Sequence, residues 1–184
     1  MSRLLERERS ELLVVDVQER LLPVMSDPDG VRDAVAWLLR LAAELSVPVT
    51  VSEQYPRGLG HTDPALKAAL APDARVLEKE HFSCAAEPSL RQALAETGRD
   101  CFVIAGIEAH VCVLQTAIGL GEAGYQVAVV ADAVGSRRSG DRELALARLR
   151  EAGVDVVSRE MVAFEWLHRA GTESFRRVSR ALLR

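Results

Sequence analysis

Six short apolar runs, separated by longer segments with helical periodicity, constrain the fold of this chain more than any other feature. The runs are rich in Val, Ile and Leu and alternate little with polar residues, which is typical of parallel strands covered on both faces. Between the first two runs, residues 29–46 carry apolar side chains at spacings of three and four, the pattern of an amphipathic helix. The runs occupy residues 12–17, 47–51, 75–77, 101–107, 126–130 and 154–157.

This alternation predicts an α/β fold of three layers (αβα), with a doubly wound, six-stranded parallel sheet between helices. We expect the strand order 3-2-1-4-5-6. The length of 184 residues predicts a single domain spanning residues 1–184, which can bury about 70% of its open-chain surface without a metal or disulfide staple. Further helices are predicted over residues 64–70, 87–96, 111–123, 141–152, 159–168 and 172–183.

Charge, hydropathy and cysteine content argue against several classes of protein. The 23 basic residues face 27 acidic ones, and the net charge of -4 argues against a nucleic-acid partner. No apolar stretch reaches the ~18 residues of a membrane span, and the first residues do not resemble a signal peptide. The three cysteines, Cys84, Cys101 and Cys112, form no Cys-x-x-Cys pair, which argues against a disulfide framework or zinc ribbon. We therefore expect a cytoplasmic protein with free thiols and no membrane partner.

Polar residues gather where the predicted strands end, the edge at which open parallel sheets bind ligands. Asp16 ends the first strand, Lys79 follows the third, and Cys112 lies in the first turn of the helix after the fourth. A helix N-terminus and a nearby cation lower the pKa of a thiol, so Cys112 is a candidate nucleophile, with Asp16 as base. From position alone, a structural alternative stays open for each residue. In these alternatives Cys112 is a small buried hydrophobe, Asp16 is a turn cap and Lys79 is a solvated surface residue. Cys84 and Cys101 are predicted to be structural.

Three separated motifs carry a family resemblance. They are D-x-Q at residues 16–18, EKEHFS around Lys79, and GIEAHVCVLQTA around Cys112. With them, nearly the whole chain resembles the isochorismatase-like cysteine hydrolases, the superfamily of nicotinamidases and N-carbamoylsarcosine amidase. The segments SEQYPRGLGHT, EKEHFSC and VVADAVGSR are most similar to the isochorismatase-domain-containing branch. The resemblance implies a catalytic triad of Asp16, Lys79 and Cys112 in a hydrolase that acts on a small molecule at an amide or related C–N bond.

The same resemblance implies further features of the site. A cis peptide bond is expected between Ile107 and Glu108, and the backbone amides of Glu108 and Cys112 are expected to form the oxyanion hole. For the expected pocket residues, packing in the core or at an interface is the alternative to substrate contact. The candidate substrate-binding residues are Gln18, Tyr55, Phe82 and His110. The roles of His81, Arg137 and Arg138 stay open.

One departure from the superfamily concerns metal binding. Nicotinamidases bind a metal through an Asp-x-His pair after the second strand and a further His. Here that place reads Ser52, Glu53 and Gln54, and His61 alone follows in the loop. We therefore expect no catalytic metal and no other cofactor.

Other function classes stay open beside the hydrolase. The main alternative is a catalytically silent member of the fold that binds a small molecule or serves as a scaffold. A weaker one is a thiol redox sensor, with Cys84 close to Cys112 in space. A homo-oligomer, dimer or larger, is expected by resemblance. The apolar residues expected at its contact are Phe164, Trp166, Leu167 and Phe175.

Overall fold

In the computed structural model, which describes residues 4–183, a parallel sheet forms the middle layer. Its six strands follow the order β3-β2-β1-β4-β5-β6, which confirms the predicted order. The direction of winding reverses between β1 and β4, so the carboxyl ends of these two strands flank the switch point at which such sheets bind ligands. The strands are β1 (Ser10–Val15), β2 (Val49–Gln54), β3 (Arg75–Lys79), β4 (Cys101–Ile107), β5 (Gln126–Gly135) and β6 (Asp155–Val157).

Helices cover both faces of the sheet, as the three-layer prediction requires. The longest begins after Asp27, whose side chain accepts a hydrogen bond from Gly30 N, with Pro28 in its first turn. The π-helical turn Ala109–Val113 directly precedes a helix that begins at Leu114. The helices are α1 (Pro28–Leu45), α2 (Pro56–Leu59), α3 (Pro64–Ala69), α4 (Pro88–Glu96), α5 (Leu114–Glu122), α6 (Ser139–Glu151), α7 (Arg159–Leu167) and α8 (Glu173–Leu182).

Two hydrophobic cores lie on opposite faces of the sheet. Leu12 and Val14 of β1 pack into the core beneath α1, α7 and α8, whereas Leu13 and Val15 pack into the core beneath α4, α5 and α6. All six residues of β1 are buried. Burial on both faces explains why the sequence of this strand shows an apolar run instead of alternation. Among the helices of residues 4–183, none has the length and hydropathy needed to cross a membrane.

Several predicted boundaries were wrong. Strand β2 continues through Ser52 to Gln54 because these polar side chains find hydrogen-bond partners inside the protein. The segment that follows β2 contains the short helix α2, which was not among the predicted helices. Strand β5 extends to Gly135.

The expected subunit-contact surface also needs correction. Trp166 and Leu167 belong to the core, and Trp166 Nε1 donates a hydrogen bond to Ser10 Oγ at 3.0 Å. Phe164, on the same helix, is 51% exposed. The helical periodicity of α7 therefore divides the predicted aromatic surface between the interior and the solvent.

Candidate active site

A buried ion pair joins the ends of two strands. Asp16 directly follows β1 and Lys79 ends β3; Lys79 Nζ lies 2.8 Å from Asp16 Oδ2, and both side chains have no solvent exposure. Asp16 has φ of 53°, in the left-handed region that residues other than glycine seldom adopt. Such backbone strain concentrates at functional sites. The structure thus brings together two of the sequence-predicted residues from strands separated by β2.

The Lys79 ammonium is enclosed by oxygen acceptors. Besides Asp16, its Nζ donates hydrogen bonds to Gln54 Oε1 at 2.5 Å, to His81 O at 3.1 Å and to Phe82 O at 3.0 Å. Burial acts to lower the pKa of Lys79, but attraction to the Asp16 carboxylate and the hydrogen bond between the two groups leave the pKa raised. Lys79 is therefore a buried cation, and the solvated alternative is excluded.

Cys112 completes the cluster from the other side of the switch point. It lies in the π-helical turn after β4 and is 7% exposed, and the charges of Asp16 and Lys79 both act on the pKa of its thiol. The peptide bond between Ile107 and Glu108, which leads into this turn, is cis. The amides of Val111 and Val113 both donate to Glu108 O, at 3.0 and 3.2 Å, so this carbonyl anchors the turn that presents the sulfur.

The protonation of the cluster differs from the sequence expectation. Burial raises the pKa of the Cys112 thiol and the charge of Asp16 raises it further, against the opposing effect of Lys79. Burial also raises the pKa of Asp16, although Lys79 and Ser52 act in the opposite direction. A lowered thiol pKa was expected from the helix N-terminus and the cation. That expectation was wrong because it left out desolvation and the facing carboxylate.

Polar contacts brace the wall of the site near Glu108. Its Oε2 accepts hydrogen bonds from both N and Nε of Arg137, each at 3.1 Å. His110 Nδ1 lies 3.0 Å from Ser136 Oγ, and its Nε2 lies 4.0 Å from Asp141 Oδ2. The side chains of Glu108 and His110 are thus held in place by the segment that follows β5.

Of the other expected substrate-binding residues, one is buried and two are exposed. Gln18 is fully buried; its Nε2 donates to Gln54 O and Gly60 O, at 3.0 and 2.6 Å, and its Oε1 accepts from Gln54 N at 2.7 Å. These bonds tie the end of β2 to the loop after α2. Tyr55 and Phe82 are 52% and 55% exposed, next to the backbone that encloses Lys79.

Cys84 lies nearer the cluster than its predicted structural role suggested. It is fully buried, and its backbone N donates to Thr116 Oγ1 of α5 at 2.9 Å. Burial raises the pKa of its thiol to about 11, with a further contribution from the charge of Asp16. Cys101, inside β4, is also buried, and burial raises its pKa to about 11. These two thiols are therefore protonated at neutral pH.

At the end of β2, where nicotinamidases carry the metal-binding Asp-x-His pair, this protein has a buried glutamate that is hydrogen-bonded to the following loop. Glu53 is buried; its Oε1 accepts from N and Oγ1 of Thr62, both at 2.7 Å, and its Oε2 lies 2.9 Å from His61 Nδ1. Within the part of the chain that the structure describes, no three His, Cys, Asp or Glu side chains are grouped so that they could hold a metal ion. His61 thus pairs with a loop-anchoring carboxylate.

Sequence reasoning missed two polar contributors to the cluster, Ser52 and Gln54. It considered them only as departures from a metal-binding pattern. Their side chains contact Asp16 and Lys79, respectively. The available signal was their position at the end of a buried strand, where polar side chains are costly unless paired.

Comparison with known proteins relates this arrangement to one family. The isochorismatase domain family matches residues 10–161, which include Asp16, Lys79 and Cys112. Isochorismatase family protein 1B of Dictyostelium discoideum is 34% identical over 175 residues, which cover 93% of this chain and 84% of that protein. The secreted isochorismatase effector Isc1 of Phytophthora sojae is 36% identical over 177 residues, covering 94% of this chain and 84% of that protein.

Solved structures show the same fold. The MAR1 ribonuclease from Caenorhabditis elegans has a TM-score of 0.91 and 34% identity, covering 98% of this chain and 92% of that chain. The YcaC gene product of Escherichia coli, described as an octameric hydrolase of unknown specificity, has a TM-score of 0.86 and 29% identity, covering 92% of this chain and 84% of that chain. The likeness spans the sheet and the helices on both of its faces.

Proposed function

The chain belongs to the isochorismatase family, and from that premise we propose that it is a small-molecule hydrolase that cleaves an amide or a related C–N bond. Cys112 is the nucleophile, Asp16 is the base, and Lys79 holds the carboxylate in place. The observation that carries the proposal is the buried Asp16–Lys79 pair, whose two charges act on the thiol of Cys112. The proposal assigns the activity to a single domain that uses no metal or other cofactor.

In the proposed reaction, Asp16 moves one proton in each step of acylation and hydrolysis. Cys112 Sγ attacks the carbonyl carbon as its proton passes to Asp16, which forms a C–S bond and a tetrahedral oxyanion. The backbone amides of Glu108 and Cys112 stabilise this oxyanion. Asp16 then returns the proton to the leaving nitrogen as the C–N bond breaks. Water, losing a proton to Asp16, hydrolyses the thioester and restores the thiol.

The resting charges suit this sequence of steps. A raised thiol pKa keeps Cys112 protonated until a substrate is bound, and a raised carboxyl pKa makes Asp16 a stronger base than an exposed aspartate. Lys79, enclosed by four acceptors, keeps Asp16 ionised and fixes its orientation. The ammonium therefore acts on the nucleophile through Asp16.

The proposed substrate contacts differ in kind. Tyr55 and Phe82, both about half exposed, contact an apolar part of the substrate, and His110, held beside Ser136, provides a further contact. Gln18 acts indirectly, because its side-chain amide is already bonded to Gln54 and Gly60. Gln18 thus shapes the pocket through the loop it anchors.

Turnover of a panel of small amides, carbamoyl compounds and isochorismate tests the proposal, with Cys112→Ala as the control. We expect release of ammonia or an amine from at least one member by the wild-type protein and none by the variant. Equal turnover by both proteins would exclude Cys112 as the nucleophile. A complete absence of turnover would favour the catalytically silent alternative.

A second candidate function is cleavage of RNA. The observation that favours it is the 34% identity with the C. elegans protein described as a MAR1 ribonuclease. The net charge of -4 opposes it, because binding the phosphate backbone depends on clustered Lys and Arg. Adding a labelled RNA to the same panel separates the two functions, and Cys112-dependent RNA cleavage without amide turnover would replace our first proposal.

We also propose that the protein forms a homo-oligomer and lies in the cytoplasm. Met161 and Phe164 are about half exposed at an i, i+3 spacing on α7, and the related E. coli hydrolase is described as octameric.

All three cysteines are free thiols, which suits a reducing compartment, although the relative from P. sojae is described as secreted. Light scattering after size exclusion, with Phe164→Ser as the variant, tests assembly, and cell fractionation tests location.

A further inference from the structure

We propose that Ser52 and Gln54 are positioning residues of this site: Ser52 fixes the Asp16 carboxylate, and Gln54 fixes the Lys79 ammonium. The inference rests on the proposed function, because positioning matters only if Asp16 serves Cys112. Both residues lie at the carboxyl end of β2, the strand between β1 and β3. Ser52 can therefore contact Asp16, which follows β1, while Gln54 contacts Lys79 at the end of β3.

Ser52 holds Asp16 through its backbone and its side chain. Asp16 N donates to Ser52 O at 3.1 Å, and Ser52 Oγ donates to Asp16 Oδ1 at 2.7 Å. Since Lys79 occupies Oδ2, the two donors together set the rotation of the carboxylate. Ser52 is fully buried, so no water competes for this bond. A hydrogen bond to the ionised form lowers the pKa of Asp16, opposing the effect of burial.

Gln54 holds Lys79 with a side chain whose orientation is itself fixed. Gln54 Nε2 donates to Glu80 O at 2.8 Å, which turns Oε1 toward Lys79 Nζ at 2.5 Å. Its backbone N is held by Gln18 Oε1 at 2.7 Å. Each polar group of the Gln54 side chain therefore has a partner. The chain of contacts runs from Gln18 through Gln54 to the ammonium, and from there to Asp16.

The same strand offers a matched control. At the opposite end of β2, Thr50 Oγ1 donates to Glu11 Oε1 at 2.6 Å, also between fully buried side chains. Thr50→Val and Ser52→Ala each remove one buried hydroxyl that bonds to a carboxylate. Both lower the free energy of unfolding, so stability alone does not distinguish their roles. Only Ser52 contacts the proposed base.

The test measures alkylation of Cys112 by iodoacetamide against pH, with each cysteine peptide quantified by mass spectrometry. We expect Ser52→Ala to move the midpoint of the acidic limb upward by about one pH unit, which slows alkylation about tenfold below the wild-type midpoint. Gln54→Leu is expected to move it in the same direction. Ser52→Thr, which keeps the hydroxyl, is expected to restore the wild-type midpoint, and Thr50→Val to leave it unchanged. Circular dichroism checks that each variant is folded.

Failure of this inference is distinguishable from failure of the proposed function. If Asp16→Asn slows alkylation but Ser52→Ala has the wild-type midpoint, Asp16 is the base and Ser52 is not a positioning residue. A shift of equal size in Thr50→Val would also overturn the inference, since loss of stability would then explain both. If neither Asp16→Asn nor Ser52→Ala changes the rate, the proposed function fails and the inference fails with it.

Discussion

Lys79 Nζ lies 2.8 Å from Asp16 Oδ2 in a contact from which solvent is excluded on both sides. Each charge is stable in the interior only because the other is present. The attraction between two buried ions offsets their desolvation, and either ion alone would be left uncompensated. Because each ion depends on the other, the pair can be tested by measuring the stability of variants, without knowledge of the substrate.

Removing one member of the pair is expected to destabilise the fold strongly. Lys79→Met leaves a buried carboxylate unpaired and should lower the free energy of unfolding by about 3–5 kcal/mol. Asp16→Asn should act similarly through the unpaired ammonium. The double variant should be more stable than the sum of the two losses predicts, as measured by urea denaturation in a double-mutant cycle. Additive losses would show that the two charges are not coupled.

The pH dependence of kcat/KM is expected to carry an acidic limb set by Asp16. Burial raises the pKa of this group, so the limb should have its midpoint above the usual value of 3.8. Activity should rise as the pH passes upward through that midpoint, because only the ionised carboxylate accepts the thiol proton. A midpoint at or below 3.8, measured with an accepted amide from the panel, would contradict the role of Asp16.

The two structural thiols are expected to make the fold less stable in alkali. Burial raises the pKa of Cys84 and Cys101 to about 11 in the folded protein, against an ordinary value of 9.0. Their contribution is therefore fully present below pH 9 and is lost as the pH rises toward 11. Urea denaturation at pH 8 and pH 10.5 should show a decline that becomes smaller in Cys101→Ala. An unchanged decline in that variant would count against this explanation.

Gln18→Leu is expected to loosen the loop that follows β2. The change removes three hydrogen bonds and leaves Gln54 N without its partner, which should cost about 2 kcal/mol or more. Because Gln18 shapes the pocket indirectly, KM should rise more than kcat falls. Steady-state kinetics beside urea denaturation checks both effects. A large fall in kcat with unchanged KM would instead indicate a direct part in the chemistry.

Local sequence patterns predicted the sheet, because apolar runs and helical spacings follow directly from burial on two faces. They also placed Asp16, Lys79 and Cys112 as candidates at one edge of the sheet, since parallel strands bring their carboxyl ends together, but the assignment of these three as a catalytic triad came from the family resemblance. They did not predict the direction of the Cys112 pKa, which depends on the carboxylate and the apolar surroundings that the fold places beside it. The roles of Ser52 and Gln54 were missed for the same reason: a buried polar residue is interpretable only when its partner is known.

The rate of Cys112 alkylation at pH 7 in wild type and Asp16→Asn tests the central claim most directly. If Asp16 takes the thiol proton, the variant should react more slowly by about 100-fold or more, which is the lower end of the contribution of general base catalysis. If Asp16 acts only through its charge, removing it beside Lys79 lowers the thiol pKa, and the variant should react faster. Faster or equal alkylation in folded Asp16→Asn would contradict the mechanism.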